Sequence, residues 1–378
     1  MMKRILFLIN TLNMGGAEHV LVDIANRMAK DGIPVTVQTI FDGGYYRNKL
    51  NAQVQYRTMV GNNCGLIKKV FVQLMSHLPA SIFGSILIGR NYSHLVAFVE
   101  GLPTKIIARC RHKNAKKIAW VHTDLFTNYE SLYWYRSENE NKKCYRKFDQ
   151  VICVSDDAKR GFEKRIGQHP AIAVQYNPIN KTEILEKAKE KPDYQMSGKE
   201  AFRLVALGRL AKIKGFDLLI DAMSLVRESV SRPVELYIIG GGDEETTLQE
   251  KVRALQLQDT VFLCGKQQNP YSIMRQCDMQ VVSSRAEGYP LSLCEGHLLG
   301  LPAVSTKCAG PQELITSSDT GVLVEISKEA LAKGIVAMVS DESAYAKYKN
   351  NAERWSENYD PDVIFNQIEA WFREEVRN

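Results

Sequence analysis

The run Ser283-Ser284-Arg285-Ala286-Glu287-Gly288-Tyr289-Pro290-Leu291-Ser292-Leu293-Cys294-Glu295 sets two carboxylates eight residues apart, between an apolar strand pattern and a helix that Pro290 can open. Glu287 then stands in the loop and Glu295 inside the helix. The N–H groups of Gly288 and of the first helical turn point into the space between the acids, where an anion can be held. Carboxylates accept hydrogen bonds from vicinal hydroxyls, so one acid suits a ribose and the other a transferred sugar. A plainer alternative is that both acids only complement the helix dipole, worth roughly 0.3–1 kcal/mol each. It leaves the Gly-Tyr-Pro after Glu287 unexplained.

Four more loops carry charge or bare backbone at the ends of apolar runs. Gly208-Arg209-Leu210-Ala211-Lys212-Ile213-Lys214-Gly215 delivers Arg209 and Lys214 to a strand end and a helix start. A guanidinium fork with an ammonium suits a diphosphate, whose charges must be met as it becomes a leaving group. A solvated basic turn accounts for the same residues equally well. Gly240-Gly241-Gly242-Asp243 and Gly265-Lys266 end two further strand patterns, and bare backbone at Gly240, Gly242 and Gly265 suits a flat base and its ribose. Near the start, Gly15 and Gly16 follow a strand and precede a helix, where phosphate or sugar could lie against the amides. Each glycine cluster singly is more often turn chemistry. No nicotinamide fingerprint of the G-x-G-x-x-G type is present in either half, which argues against a Rossmann oxidoreductase.

The elements that must position these loops are legible as β-rich apolar runs alternating with helical patterns, which indicates parallel sheets covered by helices. Strands are expected near 4–9, 34–40, 53–58, 94–99, 117–121, 150–154 and 172–176, then near 203–207, 234–239, 261–264, 279–283, 302–305 and 322–324. Val20, Ile24 and Met28 recur at helical spacing within 18–30, as do Phe216, Leu219, Ile220 and Met223 after Gly215. Asp360-Pro361 starts a last helix running through Ile364, Ile368 and Trp371. With 378 residues, two domains are expected. The boundary is placed in the Lys- and Glu-rich stretch 181–200, after Asn177-Pro178, giving domains 1–180 with 361–378 and 181–360. In open parallel sheets ligands settle outside the carboxyl ends of strands, and the chemistry-bearing residues do follow strands.

Composition narrows the class. Hydrophobic residues make up 45% and charged residues 24%, which fits a packed enzyme-like body. The eight cysteines form no C-x-x-C pair, so neither a disulfide framework nor a zinc site is indicated and a reducing compartment is expected. The apolar run 5–9 is too short for a signal peptide, and the apolar stretch 82–88 is too short to span a bilayer. The only D-x-D, Asp360-Pro361-Asp362, is explained by helix capping, so no metal is expected. The net charge of +6 divides unequally: 28 Lys and Arg face 16 Asp and Glu through residue 190, and 21 face 27 beyond it. Basic runs at 109–117, 142–147 and 159–165 suit an anionic leaflet, solvated helix faces being the alternative. Nucleic acid is not indicated, because no motif accompanies the charge.

Gly-Gly-Ala-Glu early, Gly-Arg-Leu with Lys-Gly, a glycine run, Glu287-Gly-Tyr-Pro with Glu295, and Gly310-Pro311-Gln312-Glu313 stand in an order that resembles glycosyltransferase family 4 over nearly the whole chain. Phe98-Val99-Glu100-Gly101 and Trp120-Val121-His122-Thr123-Asp124 are similar to members that build bacterial capsular or cell-surface polysaccharides. The resemblance implies an α/β GT-B fold, two Rossmann-like parallel-sheet domains facing across a cleft, with the C-terminal helix crossing back to the first. It implies a retaining transferase moving a hexose or N-acetylhexosamine from a nucleotide-sugar, a UDP-sugar by preference, to a glycan or polyprenyl-diphosphate-linked acceptor, without cofactor, in the cytoplasm or at the inner face of the membrane.

By that resemblance Arg209 and Lys214 grip the diphosphate, with the backbone of Gly288, Tyr289, Pro290 and Leu291 completing the cradle and Gly15 and Gly16 closing over it. Glu295, Gly240, Gly242, Gly265 and Lys266 take ribose and base. Glu287 takes the transferred sugar, His122 contacts it near the acceptor, and Glu100 and Asp124 lie on the acceptor side. Asp243 stands where many members have Pro. A sugar-nucleotide 2-epimerase of the same fold and a non-catalytic nucleotide-sugar sensor remain as alternatives. The first converts donor without acceptor, and the second is expected to have lost the two acids.

Overall fold

The computed structural model describes residues 4–61, 87–89, 91–112, 114–128, 130–198 and 200–373. Cys64, Lys113 and most of the apolar stretch 82–88 lie outside these. The chain divides into two units, Met1–Pro178 with Asp362–Asn378, and Ile179–Pro361.

In the first unit seven strands form one parallel sheet: β1 (Ile5–Ile9), β2 (Val35–Phe41), β3 (Gln55–Val60), β4 (His94–Ala97), β5 (Lys116–Val121), β6 (Gln150–Cys153) and β7 (Ile172–Val174), in the order β3-β2-β1-β4-β5-β6-β7. Every residue of β1 is buried, as a strand covered on both faces requires. Among the described residues its helices are α1 (Gly16–Lys30), α2 (Leu102–Arg109), α3 (Glu138–Tyr145) and α4 (Asp156–Arg165), together with the last helix of the chain, Pro361–Arg373. The latter two of the four are started by Ser137 and Ser155, whose hydroxyls accept from the N–H groups three residues on.

The second unit carries β8 (Phe202–Leu207), β9 (Val234–Ile239), β10 (Val261–Gly265), β11 (Met279–Val282), β12 (Ala303–Thr306) and β13 (Gly321–Val324), all parallel, in the order β10-β9-β8-β11-β12-β13. Its helices are α5 (Lys181–Lys187), α6 (Phe216–Ser229), α7 (Glu245–Ala254), α8 (Tyr271–Met274), α9 (Leu291–Leu298), α10 (Pro311–Ser318), α11 (Lys328–Ser340) and α12 (Glu342–Asn358). The last helix is thus α13. Phe216, Leu219, Ile220 and Met223 of α6 are all buried in one core with the faces of β8 and β9.

All thirteen expected strands are present, none with an end displaced by more than two residues. The stretch 181–200, in which the boundary is expected, opens with helix α5 and lies within the second unit, whose start at Ile179 is close to the expected 181. Asn180 caps the helix by accepting from the Glu183 N–H, Glu183 and Lys187 pair one turn apart, and Ile184 is buried. Lys and Glu in this window are helix formers, not signs of a loose chain.

Helix α13 packs on the first unit. Phe372 meets Phe7 and His94 edge-on at 5.7 and 5.4 Å, and Arg27 binds Asp31 and Asp362 at 2.7 and 2.5 Å. Its buried stripe is Phe365, Ile368, Glu369 and Phe372. Trp371, expected in that stripe, instead donates its indole N–H to Gln175 at 3.0 Å. Among the described residues no helix is long and apolar enough to cross a membrane.

Candidate functional site

Strand order reverses between β8 and β11, which makes the gap beyond their carboxyl ends the second unit's topological switch point, where ligands of open α/β sheets bind. The loop after β8 carries Arg209 and Lys214, and the loop after β11 carries Ser284 and Glu287. Lys214 Nζ lies 2.5 Å from Glu287 Oε1, and the Ser284 hydroxyl donates to the same oxygen at 2.6 Å. Glu287 is 11% exposed and Lys214 25% exposed, so both groups keep a path to solvent.

A set of contacts that the sequence reading did not anticipate locks these two loops together. Arg285 donates to both carboxylate oxygens of Asp217 at 2.8 and 2.7 Å and to the Lys212 carbonyl at 2.5 Å, while its own N–H reaches the Ile213 carbonyl at 2.7 Å. Ser283 Oγ donates to the Lys214 carbonyl at 2.9 Å. Gly215 sits at φ +65, and a Cβ there would come within 2.0 Å of the Ser283 carbonyl oxygen. Thr306, at the end of β12, donates to the Ser284 carbonyl at 2.6 Å. The Arg285 guanidinium holds the Asp217 carboxyl below its ordinary value through the hydrogen bonds and charge of the pair, against the opposing effect of burial.

The remaining expected residues fall as follows. Arg209 is exposed and its side chain has no hydrogen-bond or ion-pair partner among the described residues. Glu295 lies buried on α9 and accepts from Tyr271 Oη at 3.1 Å. Gly288 and Pro290 are buried, Tyr289 and Leu291 half-buried, and Pro290 is the N-cap of α9. The loop at Gly310 packs on this turn, since a Cβ on Gly310 would meet the Gly288 oxygen at 2.6 Å.

Gly240 and Gly242 are bare for a reason nearer home than a base. A Cβ on either would strike the carbonyl oxygens of Gly208 and Leu210 at 1.8 and 2.4 Å. Gly265 has open space and a left-handed φ of +67, and Lys266 is exposed with its stem lying over Gly241.

In the first unit, Glu100 follows β4 and His122 follows the neighbouring β5. Glu100 Oε1 accepts from the His122 N–H at 2.6 Å, the Thr123 N–H at 2.8 Å and the Thr123 hydroxyl at 3.0 Å. Burial pushes its carboxyl up, against the pull of those donors. Burial also lowers His122 to about 3, so the imidazole is neutral. Asp124 is turned into its own loop, accepting from the Phe126 N–H at 2.8 Å and the Thr127 hydroxyl at 2.9 Å. Gly15 is extended at φ −167, so no tight turn requires it, and a Cβ there would meet the Glu18 carboxylate at 2.2 Å. Gly16 opens α1. Among the described residues no group of three or more His, Cys, Asp or Glu side chains is placed to hold a metal ion.

Comparison with known proteins supplies the family. The model of glycosyltransferase family 4 matches residues 14–183, and that of group 1 glycosyl transferases matches 187–355, so the two together run through both units. The chain belongs to glycosyltransferase family 4. This glycosyltransferase is 24% identical to an uncharacterised glycosyltransferase of Haemophilus influenzae over 98% of its own length and 99% of the relative's. It is 30% identical to the N-acetylgalactosamine-N,N'-diacetylbacillosaminyl-diphospho-undecaprenol 4-alpha-N-acetylgalactosaminyltransferase of Campylobacter jejuni, over 49% of each chain. Among solved structures it is similar to Anabaena HepE in complex with UDP and glucose, with a TM-score of 0.74 and 21% identity over 98% of this chain and 99% of that one. The glycosyltransferase therefore has the GT-B fold, each unit being one of its Rossmann-like halves.

Proposed function

We propose that this glycosyltransferase moves a hexose or N-acetylhexosamine from a UDP-sugar to a glycan or polyprenyl-diphosphate-linked acceptor, with retention at the anomeric carbon, in the synthesis of a cell-surface polysaccharide. The observation that carries this reading is the Lys214–Glu287–Ser284 cluster at the β8/β11 switch point. UDP in the HepE complex and the diphospho-undecaprenol acceptor named for the Campylobacter relative support the choice of donor and acceptor.

In this reading the second unit holds the donor. Lys214 and the exposed Arg209 meet the diphosphate, Glu295 the ribose, and Glu287 the hydroxyls of the transferred sugar. Lys214 has three N–H donors, enough to keep one on Glu287 and turn others to phosphate oxygens. As the glycosidic bond lengthens, negative charge grows on the leaving phosphate where two cations already stand, and that phosphate takes the acceptor's proton on the same face of the sugar. No metal is needed for this charge balance, and an undiminished rate in chelator is expected.

The first unit takes the acceptor. Its basic runs are partly spent on internal pairs, because Arg109 binds Glu140, Arg160 binds Asp157, Arg165 binds Glu138, and Lys117 donates to the Cys110 carbonyl. Lys143, Arg146, Lys147 and Lys164 are exposed, and on these we rest a peripheral contact with the anionic inner face of the membrane, at about 1 kcal/mol per basic residue near the surface. Co-sedimentation with vesicles should rise with anionic lipid content; equal binding to neutral vesicles removes this part. The donor assignment is tested by thermal shift against a panel of nucleotide-sugars, followed by product analysis with the donor that binds. Stabilisation by UDP-sugars with product of retained configuration is expected, whereas conversion of donor without any acceptor would indicate an epimerase.

A further inference from the structure

We propose that Glu100 is a positioning residue, whose carboxylate gathers the backbone N–H groups of residues 122 and 123 and so holds the His122 ring with Nε2 presented as a hydrogen-bond acceptor to a sugar hydroxyl. The inference rests on the function proposed above and gives Glu100 a task different from acceptor binding.

β4 and β5 are paired neighbours, with Ala97 opposite Ala119, so Glu100 and His122 leave the sheet side by side. One carboxylate oxygen takes three donors from residues 122 and 123, which pins the backbone on which the imidazole stands. The ring is wedged against Phe98, 4.7 Å between centroids, and stacks along Trp120 at 6.4 Å. The Phe98 backbone beside the ring favours a proton on the nitrogen that faces it, and among the described residues Nε2 is the ring's buried nitrogen without a partner. The proton therefore sits on Nδ1 and the lone pair on Nε2.

A buried acceptor without a donor calls for an explanation. A second one stands nearby in the topology: Asn10 Oδ1, at the end of β1 on the other side of β4, is also buried and has no partner among the described residues. Two unsatisfied acceptors beyond the carboxyl ends of β1 and β5 fit a ligand that brings several hydroxyl donors. A sugar does so, and a phosphate, which offers mainly acceptors, does not.

The test uses the full chain with Glu100→Gln and Glu100→Ala, each alone and combined with His122→Ala. Histidine 15N NMR reads the ring tautomer without reference to activity, and steady-state kinetics separates kcat from donor KM. Glu100→Gln keeps an oxygen for the same three donors, so the Nδ1–H tautomer and a kcat within about threefold of wild type are expected. Glu100→Ala should give mixed tautomers and a kcat lower by roughly 30-fold, with donor KM within about threefold and little further loss on adding His122→Ala. Wild-type tautomer and rate in Glu100→Ala, additive losses in the double variant, or Glu100→Gln as impaired as Glu100→Ala would each overturn the proposal, the last by making the carboxylate's charge the acting feature. Should Glu100→Ala not fold, Glu100→Asp, one methylene short of the same donors, carries the same readouts. If wild type transfers no sugar from any nucleotide donor, the functional reading fails on its own, while the NMR arms still decide the role of Glu100.

Discussion

The two units place polar chemistry at their strand ends by opposite means. In the second, Lys214 and Glu287 face each other at a half-open switch point, and a bidentate Arg285–Asp217 pair fastens the loops that carry them. In the first, Glu100 accepts from backbone N–H groups, the His122 ring packs against Phe98 and Trp120, and both are shifted by burial toward their neutral forms. Paired charges at an open loop can exchange one anionic partner for another, as binding a diphosphate demands. A desolvated neutral ring holds one proton arrangement across the working pH range, as orienting a hydroxyl demands.

The contrast can be broken at several points. The largest effect is expected from Glu287→Gln, which should lower turnover by roughly 10²–10³-fold if its charge acts on the reacting sugar, with the melting temperature nearly unchanged. Turnover near wild type would move the chemistry elsewhere.

Next comes Gly240→Ala. Its φ of +149 and the 1.8 Å approach to the Gly208 oxygen should cost several kcal/mol and disturb the Arg209 loop, seen as a lower melting temperature and weaker donor binding together. Gly265→Ala is the control, with a left-handed φ of +67 and open space for a Cβ, and should cost only about 1–2 kcal/mol.

Arg285→Lys keeps the charge and loses the fork. Because the pair with Asp217 is about a third exposed, stability should change by no more than about 1 kcal/mol. Turnover should nonetheless fall about tenfold, since Lys214 and Glu287 ride on the loops it fastens. A stability loss without a rate loss would make the clasp merely structural.

The smallest effect on turnover concerns pH. His122 and the fully buried His297 are lowered by burial to about 3 and about 4, against an unfolded value near 6.5. Between those values the unfolded chain binds more protons than the folded one, so stability should decline as pH falls from about 6.5 toward 4. Melting curves across that range check the sign. Activity should show no His122 titration between about pH 5 and 8, and a step there that His122→Ala abolishes would place the ring in a wetter setting than the structure gives it.

Much of this was legible in the chain because parallel strands buried on both faces are continuous apolar runs, and those runs end in Gly, Asn or charge at the loops that matter. Glu287 and Glu295 stood out through the Gly-Tyr-Pro between them. The helix at 181–187 was hidden by a composition that suits an exposed helix as well as a linker. The Arg285–Asp217 clasp joins residues 68 apart and the Glu100 contacts span 22 and 23, and no local pattern announces which acid will turn toward which backbone. Gly240 and Gly242 were visible as glycines, but their packing partner, the loop 208–210, comes from the neighbouring strand.

The claim on which the rest stands is that Lys214 and Glu287 belong to the donor's diphosphate and sugar. Titrating UDP into wild type and Lys214→Ala while following the melting temperature tests it most directly. At 100 times its dissociation constant UDP should stabilise wild type by about 2.7 kcal/mol, and at the same concentration most of that gain should vanish in Lys214→Ala. An equal shift in both proteins would contradict the account.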